Sequence, residues 1–289
     1  ACAQGDWASA RALNDALFAA IAASGAPDDP AFEDLLEAYF PTQLARVETA
    51  RARHRLKREI IATRLSNRLV NLAGPAFVEE KRAEGMSAER LALSFEAAHA
   101  AFLFDDLFDR IDALDGQAPA EAQILMAAET SANLRIVAGG LATDAALERR
   151  SVREIVRRYR PRIMEARPLL SRLLSAYVLA RVDARAERYR AAGAPADLAR
   201  DVATVRALAS VREAADLADE TGWSLASAIN LQHRIGEQLG FDRMRSAARD
   251  LSPADGWERV ALGRIADDLP RRQNEIAAAV ARAAQAAGA

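Results

Sequence analysis

Apolar residues recur along this chain at intervals of three and four, and no stretch shows the strict alternation of a half-buried strand. The most regular stretch runs from His54 to Phe77. At 100° per residue, Ile61, Leu65, Leu69 and Leu72 make one apolar stripe, and Leu56, Ile60 and Val70 make a second almost opposite. A helix that is apolar on two sides is expected to pack between layers. Thr63, Asn67 and Asn71, spaced i, i+4 and i+8, fall within the second stripe. An unpartnered buried amide costs about 1–3 kcal/mol. These three side chains are therefore expected either to bond neighbouring helices and fix their register or to line a polar ligand pocket.

The same periodicity predicts helices along the rest of the chain. Trp7 to Ala23 forms the first, and Gly-Ala-Pro-Asp-Asp-Pro the turn after it. Phe32 to Phe40 reads as a short helix ended by Pro41, and a further helix starting after Thr42 feeds the central one, which breaks at Gly74-Pro75. Ser87 is an N-cap, and Leu91 to Leu114 reads as one helix closed by Gly116. Pro119 to Val137 is expected to stop at Gly139-Gly140, with another helix over Asp144 to Arg160 and an irregular stretch between Pro161 and Pro168. Leu169 to Ala192 leads to the turn Gly193-Ala194-Pro195, and Asp197 to Glu220 follows as one helix. Ser224 caps a helix that Gly240 closes, and Ser252-Pro253 opens a last helix that Pro270 is expected to kink. About nine or ten helices with short connections describe an all-α, bundle-like domain without a sheet. Residues 1–50 read as helices and a turn leading into an all-helical domain over 51–289.

Composition narrows the classes. A chain of 289 residues can bury a substantial core. Its net charge of −2, with basic and acidic residues interspersed, gives no electrostatic case for nucleic acid or an anionic membrane. Cys2 is the single cysteine, which excludes an internal disulfide framework and fits a reducing compartment. No apolar run approaches the roughly 20 residues of a bilayer span, and no signal segment opens the chain, so a cytoplasmic location is expected. The chain begins at Ala1 without an initiator methionine, which reads as processing or as a piece of something longer.

Candidate chemistry is sparse. Asp105-Asp106-Leu107-Phe108-Asp109 spells the DDxxD box of class I isoprenoid synthases, which hold magnesium against a diphosphate, and Asp105, Asp109 and Asp112 share a helix face. Asp268 and Glu275 stand at the spacing of a second metal box, with Arg271 where a hydroxyl ligand belongs. Against that reading, only 6% of residues are aromatic, the second prenyl-transfer box is missing, and Pro270 interrupts the candidate metal helix. The plainer reading is a solvated acidic face. His54, His99 and His233 are not spaced as metal ligands and read as surface or satisfied core residues. Gly139-Gly140 follows a helix and not a strand, so it lacks the context of a phosphate-binding loop. The runs Arg149-Arg150 and Arg157-Arg158-Tyr159-Arg160 read as ion-pair partners rather than a phosphate grip.

LLEAYFP (Leu35 to Pro41) followed by HRLKREIIATRLSNRLVNLAGPAFV (His54 to Val78) resembles the C-terminal region of the large NAD-specific glutamate dehydrogenases of bacteria. The turn ending in APDDP, FLFDDLFDRIDALDGQAPAEAQ (Phe102 to Gln123), and the closing ETGWSLASAINLQHRIGEQLGFDRMR and GWERVALGRIADDLPRRQNEI are similar to further segments of that family, so the likeness covers Leu13 to Ala284. It is strongest at His54 to Val78 and loose from Leu141 to Ala192. Pro270 departs from the family's usual residue. The resemblance implies a helical, non-catalytic part of an enzyme that oxidises L-glutamate to 2-oxoglutarate and ammonia with NAD. It also implies that catalytic and NAD-binding motifs lie upstream, so no catalytic, cofactor-binding or metal residue is assigned to any position of this chain. The expected partners are the upstream catalytic domain and further copies of the enzyme in a homo-oligomer. The alternatives are a magnesium-dependent isoprenoid synthase acting through Asp105, Asp106 and Asp109, and a free-standing helical scaffold.

Overall fold

A computed structural model describes residues 7–33, 46–47, 49–145, 147–252 and 254–288. Among these residues the chain is helical throughout, with no strand. The short helix over Phe32 to Phe40, the start after Thr42, and Cys2 lie outside the described residues apart from Phe32 and Glu33. The chain divides into two compact units, Ala1–Gln117 with Gln123–Arg160, and Ala118–Ala122 with Pro161–Ala289.

In the first unit α1 (Trp7–Ala23) packs along α2 (Ala50–Arg68), both contact α4 (Ala88–Ala101), and α4 contacts α5 (Phe104–Asp112). Thr49 caps α2 by accepting from the Ala52 amide at 3.1 Å. The last turn of that helix widens to a π-type turn over Leu69–Ala73 before Gly74, at φ 85°, starts α3 (Pro75–Ala83). The strong stripe of the sequence is the buried one: Ile61, Leu65 and Leu69 lie in the core. The second stripe is only half-buried, and Thr63, Asn67 and Asn71 are exposed, so no buried polar seam exists. Thr63 returns its hydroxyl to the Glu59 carbonyl at 2.7 Å. Small residues account for the difference, since Ala62, Ser66 and Ala73 widen the buried face on one side only.

Three further predicted helices are broken or bounded differently. Leu91 to Leu114 is interrupted at Leu103, which adopts φ 61°. Four consecutive apolar residues, Ala101 to Phe104, cannot all lie on one side of a straight helix. The left-handed residue turns the chain so that Phe102, Leu103 and Phe104 all enter the core. α6 (Ala120–Thr143) runs through Gly139-Gly140, because Leu134, Val137, Ala138 and Leu141 form one buried stripe across the pair. That burial exceeds the roughly 1 kcal/mol cost of each glycine. The helix expected from Asp144 starts instead as α7 at Val152 and runs to Ala166. Ser151 and Glu154 form a reciprocal cap, with the Glu154 amide donating to the Ser151 hydroxyl and the Ser151 amide to the Glu154 carboxylate. α7 passes through Pro161, with Val152, Ile155, Tyr159, Ile163 and Ala166 buried along it.

The second unit contains α8 (Leu170–Leu173), α9 (Ala176–Ala191), α10 (Ala196–Ala209), α11 (Val211–Thr221), α12 (Leu225–Gln238), α13 (Phe241–Asp250) and α14 (Gly256–Gly288). α9 packs on α10, α11 on α12, and α14 on α11, α12 and α13. The predicted helix Asp197 to Glu220 is divided at Ser210, whose hydroxyl bonds the Ala207 carbonyl at 2.8 Å in competition with the helix. Ser224 caps α12 and Gly240 follows it at φ 70°, both as the sequence indicates. α14 is capped by Asp255, which accepts from the Glu258 amide at 2.8 Å, rather than by Ser252, and it remains helical through Pro270. Leu269, Gln273, Ala277 and Ala281 are buried along it on both sides of the proline.

Candidate functional site

The densest buried charge in the first unit is built around Glu96. α4 is apolar through Leu91, Phe95 and Ala98, yet Glu96 lies among the buried positions of that helix. Its carboxylate accepts from Arg68 of α2 at 2.6 and 2.7 Å and from Arg64, one turn earlier, at 3.3 Å. Burial pushes the Glu96 carboxyl up, but Arg68 and Arg64 together outweigh it and hold it below its ordinary value. A carboxylate so engaged is a weak base, and the arrangement fixes α2 against α4 rather than presenting a reactive group.

His99, the next turn of α4, is buried and stacks on Phe108 of α5 with ring centroids 6.0 Å apart. Burial and then Arg68 lower its pKa from 6.5 to about 4, with Glu96 and Asp105 pulling the other way. The unfolded chain therefore takes up a proton between these values that the folded chain refuses. Stability is expected to fall by about 3 kcal/mol as pH drops from 6.5 towards 4, and to be indifferent to this group above 6.5. Urea titrations across that window check it: His99→Gln is expected to flatten the slope, and an unchanged slope would contradict the assignment.

Arginines also close helix ends throughout this unit. Arg58 donates to the Ala22 and Ser24 carbonyls at 2.9 and 2.6 Å at the end of α1 and pairs with Asp28. Arg135 reaches the Ala73 carbonyl at 3.1 Å after α2. Arg160 reaches the Ala100 carbonyl at the end of α4 and pairs with Asp105 at 2.9 Å. Arg90 takes four carbonyls, those of Leu141, Ala142, Asp144 and Leu147, at 2.9, 3.2, 3.1 and 2.9 Å. Arg58, Arg135 and Arg160 meet carbonyls near the ends of helices, whereas the Leu141, Asp144 and Leu147 carbonyls that Arg90 reaches also accept the backbone amides of Asp144, Leu147 and Arg150. Asp29 of the APDDP turn does the reverse, accepting from the Ala31 and Val152 amides at 2.9 Å each.

The sequence candidates disperse across this scaffold. Asp105 is committed to Arg160, Asp106 stands 3.8 Å from Arg110, and Asp109 and Asp112 face solvent. In the second unit Asp268 pairs with Arg271 and Arg272, and Glu275 with Arg271 at 2.6 Å. Among the described residues no three acidic, histidine or cysteine side chains converge as a metal site would require. His54 is exposed, 3.9 Å from Asp28. His233 is buried in α12. Gly139-Gly140 lies inside a helix, and Arg158 stacks on the Tyr159 ring at 5.6 Å. Glu96, Arg64 and Arg68 are not among the residues that the sequence pattern singles out. Their signal is a carboxylate on an otherwise apolar helix face, matched by two arginines spaced i, i+4 on the helix it packs against.

Residues 15–289 match the family model described as glutamate dehydrogenase, C-terminal. This chain belongs to the glutamate dehydrogenase C-terminal family. It is 30% identical over 256 residues to the NAD-specific glutamate dehydrogenase of Pseudomonas aeruginosa, covering 88% of this chain and 16% of that protein. The like-named enzyme of Halomonas elongata is 28% identical over 266 residues, covering 90% of this chain and 16% of its own length. That of Mycobacterium tuberculosis is 26% identical over 254 residues, covering 86% and 15%. The glutamate dehydrogenase C-terminal chain thus spans about a sixth of the length of these relatives. Among its described residues no helix is long and apolar enough to cross a membrane.

Proposed function

We propose that this chain is the C-terminal helical part of an NAD-dependent glutamate dehydrogenase. The enzyme would convert L-glutamate, NAD and water to 2-oxoglutarate, ammonia and NADH, with this part bracing the catalytic portion or joining subunits of a homo-oligomer. The NAD site and catalytic groups belong, in this reading, to the portion outside this chain, and the enzyme works in the cytoplasm.

The observation that carries the bracing role is the first third of α14. Among the residues from 254 to 265 whose side chains are described, all are exposed except Leu262, which is half-buried. They include Trp257, 84% exposed, and Ile265 two helical turns on, and Leu251, before the helix, is exposed as well. An aromatic left this exposed forgoes about 2 kcal/mol or more of burial, and exposed apolar residues repeated along one helix are what a docking face presents. The remainder of the dehydrogenase is the occupant this reading assigns to it. The committed ion pairs of Glu96, Asp105 and Asp268 support a structural role for the rest. Purified chain assayed with glutamate and NAD is expected to show no NADH formation, and turnover by the chain alone would overturn the reading.

A further inference from the structure

We propose that the face shared by α9 and α13 is a binding site for a phosphate-class oxyanion, built from Arg181, Arg243, Tyr177 and Ser246. The two arginines come from different helices and approach one ring: each guanidinium carbon lies 5.8 Å from the centroid of Tyr177. Arg181 also donates to the Tyr177 hydroxyl at 3.2 Å and to the Ser246 hydroxyl at 2.9 Å. Neither arginine has a carboxylate partner among the described residues, unlike Arg200, Arg167 and Arg245 of the same unit, which pair with Asp183, Asp201 and Asp242. Asp242, the acidic group that bears on Tyr177 from α13, is already neutralised by Arg245 at 3.0 Å.

Two like charges brought to one half-buried ring without a counter-ion repel each other, and an anion bound by both offsets the repulsion. Arg243 makes no hydrogen bond among the described residues and is exposed, so its N–H groups are open to the bidentate contact that phosphate oxygens accept. Ser246 and Arg181 both bond the Tyr177 oxygen as donors, which holds the phenol below its ordinary pKa and leaves its own proton to donate outward. The face therefore offers donors from three side chains.

The test is a titration of the full 289-residue chain with inorganic phosphate and, separately, ribose 5-phosphate, followed by calorimetry at constant ionic strength. Saturable binding is expected, weakened at least tenfold in Arg181→Gln/Arg243→Gln and several-fold in Tyr177→Phe. Tighter binding of the sugar phosphate would identify an organic phosphomonoester as the natural class, and equal binding the free ion. Arg243→Gln alone serves as the second variant, since Arg243 is exposed and makes no hydrogen bond among the described residues, and it is expected to weaken binding several-fold. Absence of saturable binding, or equal affinity in the wild type and the double variant, would overturn the proposal.

Discussion

Replacing Arg90 by methionine is expected to lower stability by about 3–4 kcal/mol, the largest single loss at any residue described above. The guanidinium fork closes the C-terminal end of α6 and the turns that follow it by donating to four carbonyls. Burial lowers its pKa, and Glu148 and Asp144 act against that effect, so the charge is kept where the carbonyl dipoles favour it. Hydrogen bonds to a charged donor contribute about 1.5–3 kcal/mol each when fully shielded, and less where a carbonyl can turn to water. Methionine keeps much of the apolar stem and removes every donor. Lysine, a single point charge without the planar fork, is expected to recover less than half. Urea denaturation followed by circular dichroism measures both variants, and a loss below about 1 kcal/mol in Arg90→Met would show that the carbonyls are satisfied without it.

Glu96→Gln is expected to cost about 3 kcal/mol, because it leaves Arg64 and Arg68 without their shared counter-charge. Their side chains remain 29% and 27% exposed, so part of the penalty is relieved by water, which keeps the loss at the lower end for a buried pair. The triple replacement Glu96→Leu, Arg64→Met and Arg68→Met is expected to regain most of it. A triple variant as unstable as Glu96→Gln would mean that the ion pairs contribute net stability rather than specificity of packing.

Helix formation was legible in the residues wherever periodicity, caps and glycines agreed, as at Trp7–Ala23, at the Ser224 cap and at Gly240. Tertiary burial overrode local signals elsewhere. Gly139-Gly140, Pro161 and Pro270 all sit inside helices whose apolar stripes continue past them, and a continuous buried face outweighs the local backbone cost. The break at Leu103 was written in the run Ala101 to Phe104, which no one-sided helix can bury, but an eye set on i, i+4 spacing passes over it. Thr63, Asn67 and Asn71 form no buried seam because the stripe they share with Leu56, Ile60 and Val70 is only half-buried, and periodicity alone does not rank two stripes on one helix. The arginine caps were not legible at all: Arg90 and its four carbonyls are more than fifty residues apart, and no local pattern announces such a contact. The family, by contrast, was carried by motifs spread over the whole chain, and the match over residues 15–289 agrees with them.

The bracing role rests on what covers Trp257, and hydrogen–deuterium exchange over residues 254–265 tests it most directly. The measurement compares this chain alone with the same segment in the full-length dehydrogenase. Slowing of at least tenfold in the full-length protein, abolished by Trp257→Ser while Glu96 and its neighbours stay protected, is the expected result. Equal exchange in the two forms would mean that the rest of the enzyme leaves this face uncovered, and would contradict the account.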